Sequence, residues 1–199
     1  MYTIGITGGV GSGKSTILNY LSTQYHVRVI KADEVGQLLT LPGHKCYEPV
    51  VEEFTDAILK KDGTIDRKEL ARIVYSDRSK LEKLNAIIHP EVKKYILKEL
   101  EREEKEDRDF VFIEAALLIE DGYKNICDEI WYVFVSEEDR IERLVSEREY
   151  TEEKCRSIFA NQCTEDEFRA ECDFEIDNSK TQERTYAQID TRMKSYETL

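Results

Sequence analysis

Residues 8 to 15, Gly8-Gly9-Val10-Gly11-Ser12-Gly13-Lys14-Ser15, satisfy the pattern G-x-x-x-x-G-K-[ST] in full. Glycines in that spacing let the backbone curl until successive N–H groups converge on a phosphate, and the helix that follows points its positive end at it. The Lys14 ammonium can reach the β- and γ-phosphates of a nucleotide, and the Ser15 hydroxyl can join a Mg²⁺ shell. A glycine-rich turn without a ligand would also match, but here the pattern stands between a strand and a helix, the context that phosphate binding requires. Asp33 is the second candidate. It lies just past a second strand, at the carboxyl edge of the sheet where ligands bind in open α/β folds. A carboxylate there could accept or orient the proton of an attacking hydroxyl and could help hold the metal. The same residue would also serve as N-cap of a helix starting at Glu34.

These groups need a frame. Tyr2 to Thr7 reads as a buried strand, Ser15 to Gln24 carries helical apolar spacing at Ile17, Leu18 and Leu21, and Val27 to Ile30 reads as a second strand. Strand, loop, helix, strand implies parallel strands joined by a right-handed crossover. From 34 to about 105 the pattern is helical, broken at Leu41-Pro42-Gly43 and Asp62-Gly63, with Pro90 expected to open a new helix. Further strands are expected at Phe110 to Glu114, Ile130 to Val135 and Phe174 to Asp177, with a charged helical stretch over 137–172 before the last. The chain therefore reads as a parallel α/β core with two helical insertions.

Composition narrows the partners. The chain has 199 residues, 40% apolar and 36% charged, with 42 acidic against 29 basic side chains and a formal net charge of −13. Such an acidic body repels a phosphate backbone, so nucleic acid is not an expected partner and an anionic small molecule must meet a local positive site. The longest apolar runs are too short to span a bilayer, no signal peptide is visible at the N-terminus, and a cytoplasmic protein is expected. Cysteines at 46, 127, 155, 163 and 172 form no C-x-x-C pair and read as free thiols. There is no Asn-Lys-x-Asp guanine reader and no Asp-x-x-Gly after Phe110 to Glu114, which disfavours a water-attacking GTPase.

Thr7 to Thr16 with Lys31-Ala32-Asp33 resembles the dephospho-coenzyme A kinases, and the likeness runs along nearly the whole chain. Pro42-Gly43, Asp62-Gly63 with Arg67 and Leu70, Leu84-Asn85, and His89-Pro90-Glu91-Val92 follow in the family's order. So do Leu117-Leu118 with Glu120, then Arg143, Gln162, Asp173 and Ile176-Asp177-Asn178. The resemblance implies phosphorylation of the ribose 3′-hydroxyl of dephospho-CoA with ATP and Mg²⁺, the last step of CoA synthesis. It implies a P-loop NTPase-type three-layer α/β/α core with a parallel sheet (approximately 1–36, 106–136 and 173–199), a helical acceptor-binding insertion (approximately 37–105) and a helical lid (approximately 137–172). Carried over, Gly11, Ser12, Gly13, Lys14, Ser15 and Thr16 would hold the ATP phosphates, Asp33 and Lys14 would be catalytic, and Ser15 and Asp33 would face the metal. His89, Leu117, Leu118 and Glu120 would line the acceptor, and Arg143 and Arg148 would serve the lid. Three departures stand out: Ala116 replaces a proline, Phe168-Arg169 replaces a basic pair, and Glu147 stands where the family has a lid arginine, with Arg148 beside it. A lid arginine offsets charge on the transferring group and can be worth roughly 10³-fold or more in rate. Two alternatives remain at this level: another nucleoside or nucleotide kinase on the same core, and a catalytically weak nucleotide-binding module.

Overall fold

A computed structural model describes residues 1–115 and 117–196; Ala116 lies outside them. The strands are β1 (Tyr2–Thr7), β2 (Val27–Lys31), β3 (Phe110–Glu114), β4 (Glu129–Phe134) and β5 (Phe174–Asp177), in one sheet of order β2-β3-β1-β4-β5. β1 pairs in parallel with β3 (Tyr2 opposite Phe110) and with β4 (Ile4 opposite Glu129), and β4 pairs in parallel with β5 (Trp131 opposite Phe174). The central strands are apolar nearly throughout because both of their faces are covered. Ile4, Ile6, Phe112, Ile113, Trp131 and Val133 are wholly buried. β5 ends one residue before Asn178, and β1 ends one residue before Gly8, so the parallel arrangement delivers both residues to one edge of the sheet.

The chain divides into two compact units, Met1–Val29 with Asp107–Leu199, and Ile30–Glu106. In the first, β1 leads through the glycine loop into α1 (Lys14–Gln24), whose Ile17, Leu18 and Leu21 enter the sheet core. After β4 come α6 (Glu137–Arg148), α7 (Glu152–Phe159) and α8 (Glu165–Glu171), and α9 (Gln182–Tyr196) follows β5. Each of these middle helices is capped by the hydroxyl its sequence supplies. Ser136 accepts from Asp139 N at 3.2 Å, Thr151 accepts from Lys154 N at 3.2 Å, and Thr164 forms a capping box with Glu167. The acidic residues Glu137, Glu138 and Asp139 in the first turn of α6 complement its dipole.

The second unit holds α2 (Ala32–Leu39), α3 (Tyr47–Phe54), a 3₁₀ turn at Asp56–Ile58, α4 (Arg67–Tyr75) and α5 (Arg78–Lys105). Asp66 and Asp77 cap α4 and α5. Two expectations change here. α5 runs without a break through Pro90, which is exposed on its solvent side, so the Ala86 carbonyl that loses its N–H partner can turn to water. Asp33 is not an N-cap, because α2 begins at Ala32 and Asp33 is its second residue. Among the described residues, no helix is long and apolar enough to cross a membrane.

Candidate active site

The loop between β1 and α1 is held from three sides within the first unit. Gly13, at φ 89°, is left-handed, and a Cβ there would overlap the Asn178 side-chain amide. Asn178 Nδ2 donates to Ser12 O at 2.7 Å, Thr185 Oγ1 donates to Asn178 Oδ1 at 2.9 Å, and Arg143 Nη2 donates to Asn178 O at 2.8 Å. One asparagine thus ties the loop, the end of β5, the second turn of α6 and the first turn of α9. Helix α6 lies directly on the loop: a Cβ at Gly11 would stand 3.2 Å from both Arg140 O and Leu144 Cγ. On the third side, Val10 N donates to Gln162 Oε1 at 3.1 Å.

Lys14, the first residue of α1, donates from Nζ to Gly8 O at 2.6 Å and so lies folded along the loop. The first turn of α1 has neither an acidic residue nor a side-chain cap, which leaves its amide dipoles uncompensated toward an anion. Ser15 and Thr16 are exposed in that turn. The Ser12 hydroxyl is buried and has no hydrogen-bond partner among the described residues. A magnesium ion on a nucleotide keeps several waters and asks the protein for only one or two hard oxygens. The exposed Ser15 hydroxyl beside Lys14 fits that demand.

The helical stretch after β4 adds what the sequence did not single out. Arg140, half-buried in α6, lays its guanidinium on the Phe159 ring of α7 at 4.0 Å from the centroid. Its Nη1 rests against Gly9 so closely that a Cβ on Gly9 would overlap it. Among the described residues its buried Nε has no hydrogen-bond partner, and burial lowers the guanidinium below the usual arginine value. A cavity of ≈ 360 Å³ opens beside this group, with Tyr132, Arg140, Arg156, Phe159, Gln162 and Phe168 in its wall. That volume lies in the range of small-molecule sites.

The remaining predicted residues divide between the two units. Arg143 is brought to the loop through Asn178, whereas Glu147 and Arg148 are exposed at the C-terminal end of α6. Leu118 is wholly buried, with its methyl groups against Gly5, and is part of the core; Leu117 is half-buried. Glu120 is exposed and accepts from Cys163 Sγ at 3.2 Å; burial, then this contact, pushes the Cys163 thiol up to about 12. None of the five cysteines is in a disulfide among the described residues. In the second unit, Asp33 is exposed in the first turn of α2, and His89 is half-buried mid-way along α5.

Comparison with known proteins bears on the family and the fold. The family model described as dephospho-CoA kinase matches residues 2–183. A dephospho-CoA kinase of Carboxydothermus hydrogenoformans is 36% identical over 193 residues, 97% of this chain and 93% of the relative. A solved Thermus thermophilus protein superposes with a TM-score of 0.83 at 28% identity, covering 98% of this chain and 97% of its own. The dephospho-CoA kinase from Campylobacter jejuni has the same fold, with a TM-score of 0.73 at 22% identity over 98% of this chain and 96% of its own.

Proposed function

This chain belongs to the dephospho-CoA kinase family, and from that premise we propose how its residues carry the transfer of the γ-phosphate of ATP to the ribose 3′-hydroxyl of dephospho-CoA. The observation that carries the assignment is the phosphate loop: Lys14 lies along it, and the first turn of α1 behind it has no cap of its own. The match over residues 2–183 sets aside the alternative of a different nucleoside kinase.

Phosphoryl transfer asks little covalent chemistry of a protein, so the residues act by positioning and electrostatics. Gly11 to Thr16 supply N–H donors and the helix end to the phosphates. Lys14 turns from the Gly8 carbonyl to the β- and γ-phosphates, which replaces a neutral acceptor by a charged one. Ser15 is the hydroxyl for magnesium, which when bound neutralises charge on the phosphates. Asp33 takes the proton of the ribose hydroxyl or aims that hydroxyl, and offers a second oxygen to the metal; its support is its exposure in the first turn of α2, directly after β2. The bond from the γ-phosphorus to the ribose oxygen forms as the bond to the bridging oxygen of ADP breaks. Gln162 accepts from the Val10 N–H and so braces the loop just before its phosphate-binding residues. On the acceptor side the assignment keeps His89, Leu117 and Glu120, whereas Leu118 is wholly buried core.

The test is the mass of dephospho-CoA after incubation with the protein and MgATP, with Lys14→Ala as control. Gain of one phosphate with the native chain and none with the control is expected. Equal gain with both would remove Lys14 from the site, and no gain with either, while ADP still binds, would overturn the acceptor.

A further inference from the structure

Arg140 is placed as no structural arginine needs to be. Among the described residues its buried Nε has no hydrogen-bond partner, in a chain with 42 acidic side chains. A half-buried cation is expensive to leave unpaired, because desolvation is not repaid by a counter-charge. Its neighbours are instead a ring and a glycine. Phe159 backs the guanidinium from one side, and Gly9 lets it close on the phosphate loop from the other. Glu137, its own-helix neighbour, is paired with Arg156 at 3.1 Å, and Glu165 is paired with Arg169 at 3.2 Å. Both carboxylates act on Arg140 only through space and pair with other arginines, so neither touches the guanidinium, which stays open to an anion from outside the chain.

The other two arginines of α6 do not fill this place. Arg143 is bound to the Asn178 carbonyl, and Arg148 is exposed at the end of α6 beside Glu147. We propose that Arg140 is a catalytic residue that contacts the transferring phosphoryl group of ATP from the Gly9 side of the loop, with Phe159 backing its guanidinium. This rests on the assignment of the loop to ATP made above. The planar fork presents two N–H donors to equatorial phosphoryl oxygens, and its charge offsets the negative charge that spreads over them as the bond to ADP breaks. No proton moves to or from Arg140. A small residue at position 9 is the structural condition for it, since any side chain there would occupy the guanidinium's place.

The experiment compares wild type with Arg140→Gln and Arg140→Lys for kcat and KM of dephospho-CoA phosphorylation, and for Kd of ADP and of the non-hydrolysable ATP analogue AMP-PNP. For Arg140→Gln, kcat is expected to fall roughly 10³-fold, with ADP affinity within about twofold of wild type and AMP-PNP affinity reduced at least about tenfold. Arg140→Lys keeps the charge but not the fork, and should lose at least about tenfold in kcat with ADP binding intact. Unchanged kcat in Arg140→Lys and Arg140→Gln would overturn the proposal. So would a parallel loss of ADP and AMP-PNP affinity, which marks a merely structural residue. Should Arg140→Gln fail to fold, the Arg140→Lys result decides alone on the same two criteria. Absence of turnover in wild type would instead count against the functional assignment, which separates the two failures.

Discussion

The side-chain amide of Asn178 donates to the main-chain carbonyl of Ser12 at 2.7 Å, across 166 residues of sequence. Its side-chain oxygen accepts from Thr185, and the main-chain carbonyl of the same residue accepts from Arg143. The phosphate loop is thus shaped before nucleotide arrives, by a residue that touches none of the chemistry.

Asn178→Ala leaves the Ser12 carbonyl without its donor and the buried Thr185 hydroxyl without its better acceptor. A loss of about 1–3 kcal/mol in folding stability is expected from such orphaned groups. ADP affinity should fall with it, because the loop loses its preset curvature. Urea unfolding at constant m-value and calorimetric ADP titration measure the two effects. An unchanged midpoint with unchanged ADP affinity would show that the loop holds its shape without the tie.

Asp33→Asn separates proton transfer from binding. An amide of the same shape can still orient a hydroxyl but cannot accept its proton, and general-base assistance contributes roughly 10²–10⁴-fold. The expected result is a kcat lowered on that scale with KM for ATP and dephospho-CoA little altered. Were KM for MgATP to rise while kcat held, Asp33 would belong to the metal and not to the hydroxyl.

The frame of this molecule was plain in its residues, and the reasons differ by element. β1, β3 and β4 are near-continuous apolar runs because parallel strands are covered on both faces, and a run of that kind is hard to mistake between turn signals. The phosphate loop was legible because its backbone demands glycines at fixed places. Pro90 misled, since a helix boundary and a solvent-facing proline inside a 28-residue helix look alike until burial is known. Glu147 drew attention to the end of α6, whereas the group that lies on the loop is Arg140, two turns earlier. Nothing in the order of residues announces that Gly9, Arg140 and Phe159 converge, because 131 positions separate the first two and only packing brings them together. Gln162 and Asn178 were visible as members of an ordered set, but their hydrogen bonds to Val10 and Ser12 were not.

Asp177 gives the fold an acid-sensitive point next to the site. The Ser179 hydroxyl, and then the Ser179 N–H at 2.9 Å, hold its carboxyl below the ordinary aspartate value. A depressed folded pKa means that the carboxylate's stabilisation is fully present above the unfolded value of about 3.9 and is lost as pH falls through the lower folded value. Asp177→Asn keeps an acceptor but cannot ionise. It should therefore be less stable than wild type at pH 7, and the gap should narrow as pH drops below about 4. Urea midpoints of both proteins across that range test it, and a gap that stays constant with pH would mean that the charge does not contribute.

Gly9→Ala probes the contact on which Arg140 depends without touching the arginine. The new Cβ would overlap Arg140 Nη1, the tip of a flexible side chain, and not backbone, so the guanidinium can be displaced while the fold persists. Gly9 is not in the left-handed region, and alanine can adopt its backbone conformation. The expected phenotype is that of Arg140→Gln in milder form: a lower kcat, a weaker hold on AMP-PNP relative to ADP, and a thermal midpoint close to wild type. If both substitutions act by removing one guanidinium from one phosphoryl group, their effects cannot multiply, and the double variant should be no slower than Arg140→Gln alone. Multiplicative losses in kcat would show that Gly9 and Arg140 act independently, and that the arginine's closeness to the loop is packing without catalytic consequence.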